Sequence, residues 1–125
     1  MSDTSRDELT KLTHQLLLAI ETGDWDTYER ICDPDLTCFE PESRGMLVQG
    51  LDFHRYYFDR RCDGALARQS VIDLQIRLLT NDCAVVTYVR LNQLPTETWR
   101  FEETRVWKRT PDGWRHVHFH RSKTS

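Results

Sequence analysis

A strand that buries one face has no room there for a bare cation, yet this chain places three arginines in such positions. Between Phe101 and Arg121 two extended runs flank Pro111-Asp112-Gly113, which has the chemistry of a tight reversal. Side chains alternate across a strand, so Arg105 shares a face with Phe101, Glu103 and Trp107, and Arg121 shares one with Val117 and Phe119. One strand earlier, Arg90 keeps step with Ala84, Val86 and Tyr88. Burying a guanidinium without a partner costs several kcal/mol even after relaxation. The fold must therefore build either a buried anion site or a subunit interface around them. Glu103 is the one acid on those faces, and Glu40 and Glu42 lie in a loop from which they can reach in. If Glu103 alone pairs, about two positive charges remain, suited to bidentate contacts with a carboxylate or phosphate. The bland reading is that the arginines pair with backbone or cross-subunit acids and hold an assembly together.

The rest of the chain sets the frame. Ser5-x-x-Glu8 reads as a capping box opening a helix that ends near Gly23, with Leu9, Leu12, Leu16, Leu17 and Ile20 in one apolar stripe. Leu18 falls off that stripe. Asp24 caps a second, shorter helix through Ile31, and Asp33-Pro34-Asp35 stops it. A short strand over Leu36 to Phe39, a loop with Pro41 and Gly45, and a short strand over Met46 to Gln49 follow. Leu51 to about Arg61 is a third helix with His54, Tyr57 and Phe58 on one side. Four longer strands complete the chain: Val71 to Leu79, Cys83 to Leu94, Trp99 to Arg109 and Trp114 to Arg121. Helices first and consecutive strands afterwards give an α+β class, with a curved antiparallel sheet wrapped on the long helix. Two strands are apolar on both faces, which points to self-association through the face turned away from the helices.

With 125 residues the chain suits one domain with its own core. A net charge of −3, with both signs interspersed, excludes the basic stripe that tracks nucleic acid. No apolar run reaches the length of a membrane span and no secretory leader opens the chain, so a cytoplasmic setting is expected. Cys32, Cys38, Cys62 and Cys83 lack metal-ligand spacing and read as reduced structural thiols. His116-x-His118-x-His120 would set three imidazoles on one strand face beside Trp114, but no further ligand type accompanies them. No metal and no cofactor is expected.

Several segments carry a resemblance. Ile31-Cys-Asp-Pro, Phe39-Glu-Pro-Glu42, Gly50-Leu-Asp-Phe-His-Arg-Tyr-Tyr-Phe58, Glu102-Glu-Thr-Arg-Val-Trp107 and Val117-His-Phe-His-Arg-Ser122 resemble the association (hub) domain of calcium/calmodulin-dependent protein kinase type II. Motif order is preserved over residues 8–122, leaving a tail at 1–7 and another at 123–125. The resemblance implies a cone-shaped, nuclear-transport-factor-2-like (NTF2-like) fold. It also implies a non-catalytic role: copies of the chain close into a ring on the order of twelve or more. By motif, the family's pocket for a small carboxylate or an acidic peptide carries over to Arg90, Arg105 and Arg121, with His54 at the same pocket. The segment Asp59 to Gln69 is shorter than the family's and lacks a tryptophan often found there. No glycine-rich phosphate loop, His-Arg-Asp or Asp-Phe-Gly is present in the sequence. The opening Met-Ser-Asp-Thr-Ser favours a free-standing protein over a hub cut from a kinase. The runner-up reading is a small cavity-forming enzyme or organic-acid binder using His54 and Glu103 as acid and base. Against it, nearby cations would hold Glu103 ionised and too weakly basic.

Overall fold

The computed structural model describes residues 2–60 and 68–124. Helix α1 spans Ser2–Thr22, so Ser5 lies within the helix and not at its cap. Its buried hydroxyl instead meets Arg109 Nη2 at 2.6 Å, tying α1 to the sheet. Gly23, with φ of 73°, ends the helix in a conformation that disfavours other residues. Asp24 then caps α2 (Trp25–Ile31): the Thr27 N–H donates to Oδ1 at 3.2 Å and the Thr27 hydroxyl to Oδ2 at 2.6 Å.

Strand β1 (Cys32–Phe39) begins directly after α2, with the expected stop Asp33-Pro34-Asp35 inside it. Its pairing with β6 jumps from Cys32 to Thr37, so the missing N–H of Pro34 breaks no ladder bond. A 3-10 turn (Pro41–Ser43), β2 (Val48–Gln49) and α3 (Asp52–Asp59) follow. The expected end of the third helix, at Arg61, and Cys62 lie outside the described residues. The long strands are β3 (Arg68–Thr80), β4 (Cys83–Gln93), β5 (Thr98–Thr110) and β6 (Gly113–Thr124).

These strands form one open sheet in the order β2-β1-β6-β5-β4-β3. All neighbours are antiparallel except β1 and β6, which run parallel. The leucine stripe of α1 fills the concave side: Leu9, Leu16 and Leu17 are buried against Tyr28, Ile31, Val86 and Trp107, with Leu12 and Ile20 packed at the edge. Leu18 points away and is 57% exposed. Because Leu16 is fully buried, Leu16→Ala should lower the free energy of unfolding by about 3 kcal/mol in a urea titration.

Two irregularities shape the sheet. In β3, Asp73 has φ of 56° where the pairing with β4 skips from Ile72 to Gln75. In β6, Trp107 pairs with His116 while Val106 pairs with His118, leaving Val117 as an extra residue. The expected face of three imidazoles is thereby split. His116 is fully buried on the concave side, whereas His118 and His120 lie on the convex one. There His118 Nδ1 lies 2.7 Å from Thr37 Oγ1. The convex face also presents Ile72, Val85, Val89, Leu91 and Val106, none of them fully buried.

Candidate functional site

The concave side of the sheet, the end of α1, α2 and α3 enclose a cavity of about 300 Å³. All three sequence-predicted arginines line it, one from each of β4, β5 and β6. Register brings them together. Val86 pairs with Arg105 and Arg105 with Phe119; Tyr88 pairs with Glu103 and Glu103 with Arg121. Each of these side chains therefore points to the same side.

Glu103 is the hub of a buried network. Its Oε2 meets Arg90 Nη2 at 2.8 Å, and its Oε1 meets Arg105 Nη2 at 3.0 Å. The Tyr88 hydroxyl donates to Oε1 at 2.5 Å and accepts from Arg105 Nε at 2.7 Å. Burial alone would raise the Glu103 carboxyl, but Arg105, Arg90 and Tyr88 outweigh it and hold the group below the usual carboxylate range. Arg105 Nη1 also lies 3.3 Å from His116 Nε2. A guanidinium only donates, so Nε2 accepts and the ring proton sits on Nδ1, 3.4 Å from Cys32 Sγ. Burial, reinforced by Arg105, pushes His116 well below its ordinary range and keeps it neutral. Each nitrogen of Arg105 thus has a protein partner.

The other two arginines differ. Arg121 Nη2 sits 2.6 Å from both carboxylate oxygens of Glu42, which does reach in from the loop. Arg90 is 4% exposed, and among the described residues its Nε and Nη1 have no hydrogen-bond partner. Next to it, Asn92 lines the cavity with a buried and equally unpartnered Oδ1. His54 is 6% exposed and also lines the cavity, with its Nε2 3.6 Å from Cys38 Sγ and its ring against Tyr28 and Phe119. Burial first, then Arg105, lowers it to about 4, so it is an uncharged wall. Glu40 lines the cavity as well, and burial pushes it up to about 7 despite the pull of Arg121.

Of the five residues expected from the sequence, Arg90, Arg105, Arg121 and His54 line the cavity, and Glu103 stands behind it as the shared partner of Arg90 and Arg105. The sequence pattern did not single out Asn92 as polar lining or the Tyr88 hydroxyl as a partner of Glu103 and Arg105, although both alternate in step with Arg90. It missed His116 because the irregularity at Val117 has no side-chain signature. Among the described residues no cluster of three or more His, Cys, Asp or Glu is placed to hold a metal. No described helix is long and apolar enough to cross a membrane.

Comparison with known proteins gives this geometry a family. The model of the calcium/calmodulin dependent protein kinase II association domain matches residues 5–125. The chain is 41% identical over 133 residues to the calcium/calmodulin-dependent protein kinase type II alpha chain of Drosophila melanogaster, covering 99% of this chain. It spans only 25% of the length of that relative. Among solved structures, the S. rosetta CaMKII hub is 39% identical and superposes with a TM-score of 0.86, over 93% of this chain and 94% of that one. An NTF2-like protein from Cytophaga hutchinsonii, 22% identical, shares the fold with a TM-score of 0.76 over 95% of this chain and 98% of that one. The chain belongs to the calcium/calmodulin-dependent protein kinase II association domain family, in its NTF2-like fold.

Proposed function

We propose that the chain is a non-catalytic self-association module, closing into a ring on the order of twelve or more copies, whose cavity holds a small carboxylate or an acidic peptide side chain. The observation that carries the ligand reading is Arg90. It lines the cavity with a buried guanidinium, two of whose nitrogens have no hydrogen-bond partner among the described residues, and that arrangement is costly unless an anion completes it. Arg105 is already satisfied, and Arg121 would have to exchange Glu42 for the ligand. Assembly is supported by the convex face, where the part-exposed Val85, Val89, Leu91 and Val106 form an apolar strip that a neighbouring copy can cover. Proton abstraction by Glu103 or His54 is disfavoured because Glu103 is held below the usual carboxylate range and His54 is lowered to about 4, which makes both weak bases. The free thiols of Cys32, Cys38 and Cys83 suit a reducing, cytoplasmic setting.

Two measurements test this. Light scattering should give a particle more than about tenfold heavier than the 14.9 kDa chain, by ring closure. A dimer would overturn the ring and favour a small organic-acid binder. Millimolar acetate should raise the melting temperature of the protein by mass action, and Arg90→Leu should abolish that rise. An equal rise in the variant would remove Arg90 from the site.

A further inference from the structure

We propose that the cavity takes up its anion together with a proton, and that Glu40 is the residue that carries the proton; this rests on the anion-binding reading above. The cavity is lined by three guanidinium groups, from Arg90, Arg105 and Arg121, against the carboxylates of Glu40 and Glu42, with Glu103 behind Arg90 and Arg105 and the exposed Glu21 as a further lining acid. With all of these ionised it is close to neutral, and an incoming carboxylate would add an uncompensated negative charge inside about 300 Å³. Like charges confined together drive one of them to take a proton.

Geometry then selects which one. Glu103 is fixed by two arginines and a tyrosine hydroxyl, so protonating it would strand two buried cations. Glu42 has both oxygens on Arg121. Glu40 forms no ion pair among the described residues, although it stands in the same cavity. With a proton on Glu40, three guanidinium charges face two carboxylates, and one positive charge is left for the ligand.

The surroundings of Glu40 agree. Arg121 and, more weakly, Arg105 favour its charged form, while Glu42 and Glu103 oppose it, and burial is the largest influence of all. The net result is a carboxyl that changes state at about 7. The remaining walls do not compete in that range. His54 on α3 is neutral down to about 4, Tyr28 on α2 is raised well above its ordinary value by burial, and Cys38 on β1 is pushed up to about 12. Glu21, at the end of α1, is solvent-exposed at the mouth, where water screens its charge.

The decisive experiment is titration calorimetry of the intact protein with acetate, whose own charge is constant over the range used. Expected for the unmodified chain is a dissociation constant about tenfold weaker at pH 8 than at pH 6, with proton uptake revealed by two buffers of different ionisation heat. Glu40→Gln should bind at pH 8 as tightly as the unmodified chain binds at pH 6, with no proton uptake. Equal affinity at both pH values in the unmodified chain overturns the proposal, and so does a pH slope that survives in Glu40→Gln. Absence of acetate binding at every pH removes the anion-binding reading itself, and this inference with it.

Discussion

Glu103→Ala is expected to destabilise the fold by about 4 kcal/mol. Glu103 is 2% exposed and is the shared partner of Arg90 and Arg105, which are 4% and 1% exposed. Deleting the carboxylate leaves two desolvated guanidinium groups side by side, with the Tyr88 hydroxyl deprived of its acceptor. Glu103→Gln keeps an acceptor and removes only the charge, so its loss should be intermediate. Urea unfolding monitored by tryptophan fluorescence, with Trp107 and Trp114 in the core, reads this directly. A loss below about 1 kcal/mol for the alanine variant would mean that water reaches both arginines. The pH sense follows from the depressed carboxyl. The stabilisation is fully present above the ordinary carboxylate range and disappears as pH falls through the lowered folded value. The difference between the unmodified protein and Glu103→Ala should therefore shrink on acidification.

The second large effect concerns mass, not stability. Val106 points out of the convex face between Val85 on β4 and His118 on β6. If neighbouring copies cover that face, Val106→Glu buries an unpaired carboxylate in every contact, and the particle should fall from more than about tenfold the chain mass to one or two chains. Folding of the isolated chain should change little, about 0.5 kcal/mol, because the side chain is part-exposed within one copy. Circular dichroism and light scattering on the same sample separate the two quantities. A full-sized particle from Val106→Glu would show that the apolar strip is not where copies meet.

Much of this architecture was legible in the residues. The helical spacing of Leu9, Leu16 and Leu17 gave the buried stripe of α1, and the alternation along β4 and β5 put Arg90, Arg105 and Glu103 on one side. What escaped notice was decided by the backbone or by distant neighbours. Asp33-Pro34-Asp35 has breaker chemistry, yet it lies within β1 because the ladder there skips the proline. Ser5 has cap chemistry, but α1 continues back to Ser2 and the hydroxyl is used by Arg109 from a strand roughly a hundred residues away. Glu40 looks like any loop acid; its raised carboxyl depends on walls supplied by helices and strands from across the chain.

Val117 carries the last consequence. An unbroken ladder running from the same tip of β6 would send His118 and His120 inward and turn Phe119 and Arg121 out. The extra residue reverses that choice, so the interior receives a permanently charged guanidinium instead of two imidazoles that could lose their charge in the physiological range. One unpaired amide unit, with no mark in composition, thus decides whether the receptacle keeps a constant cation or one that fades with alkalinity.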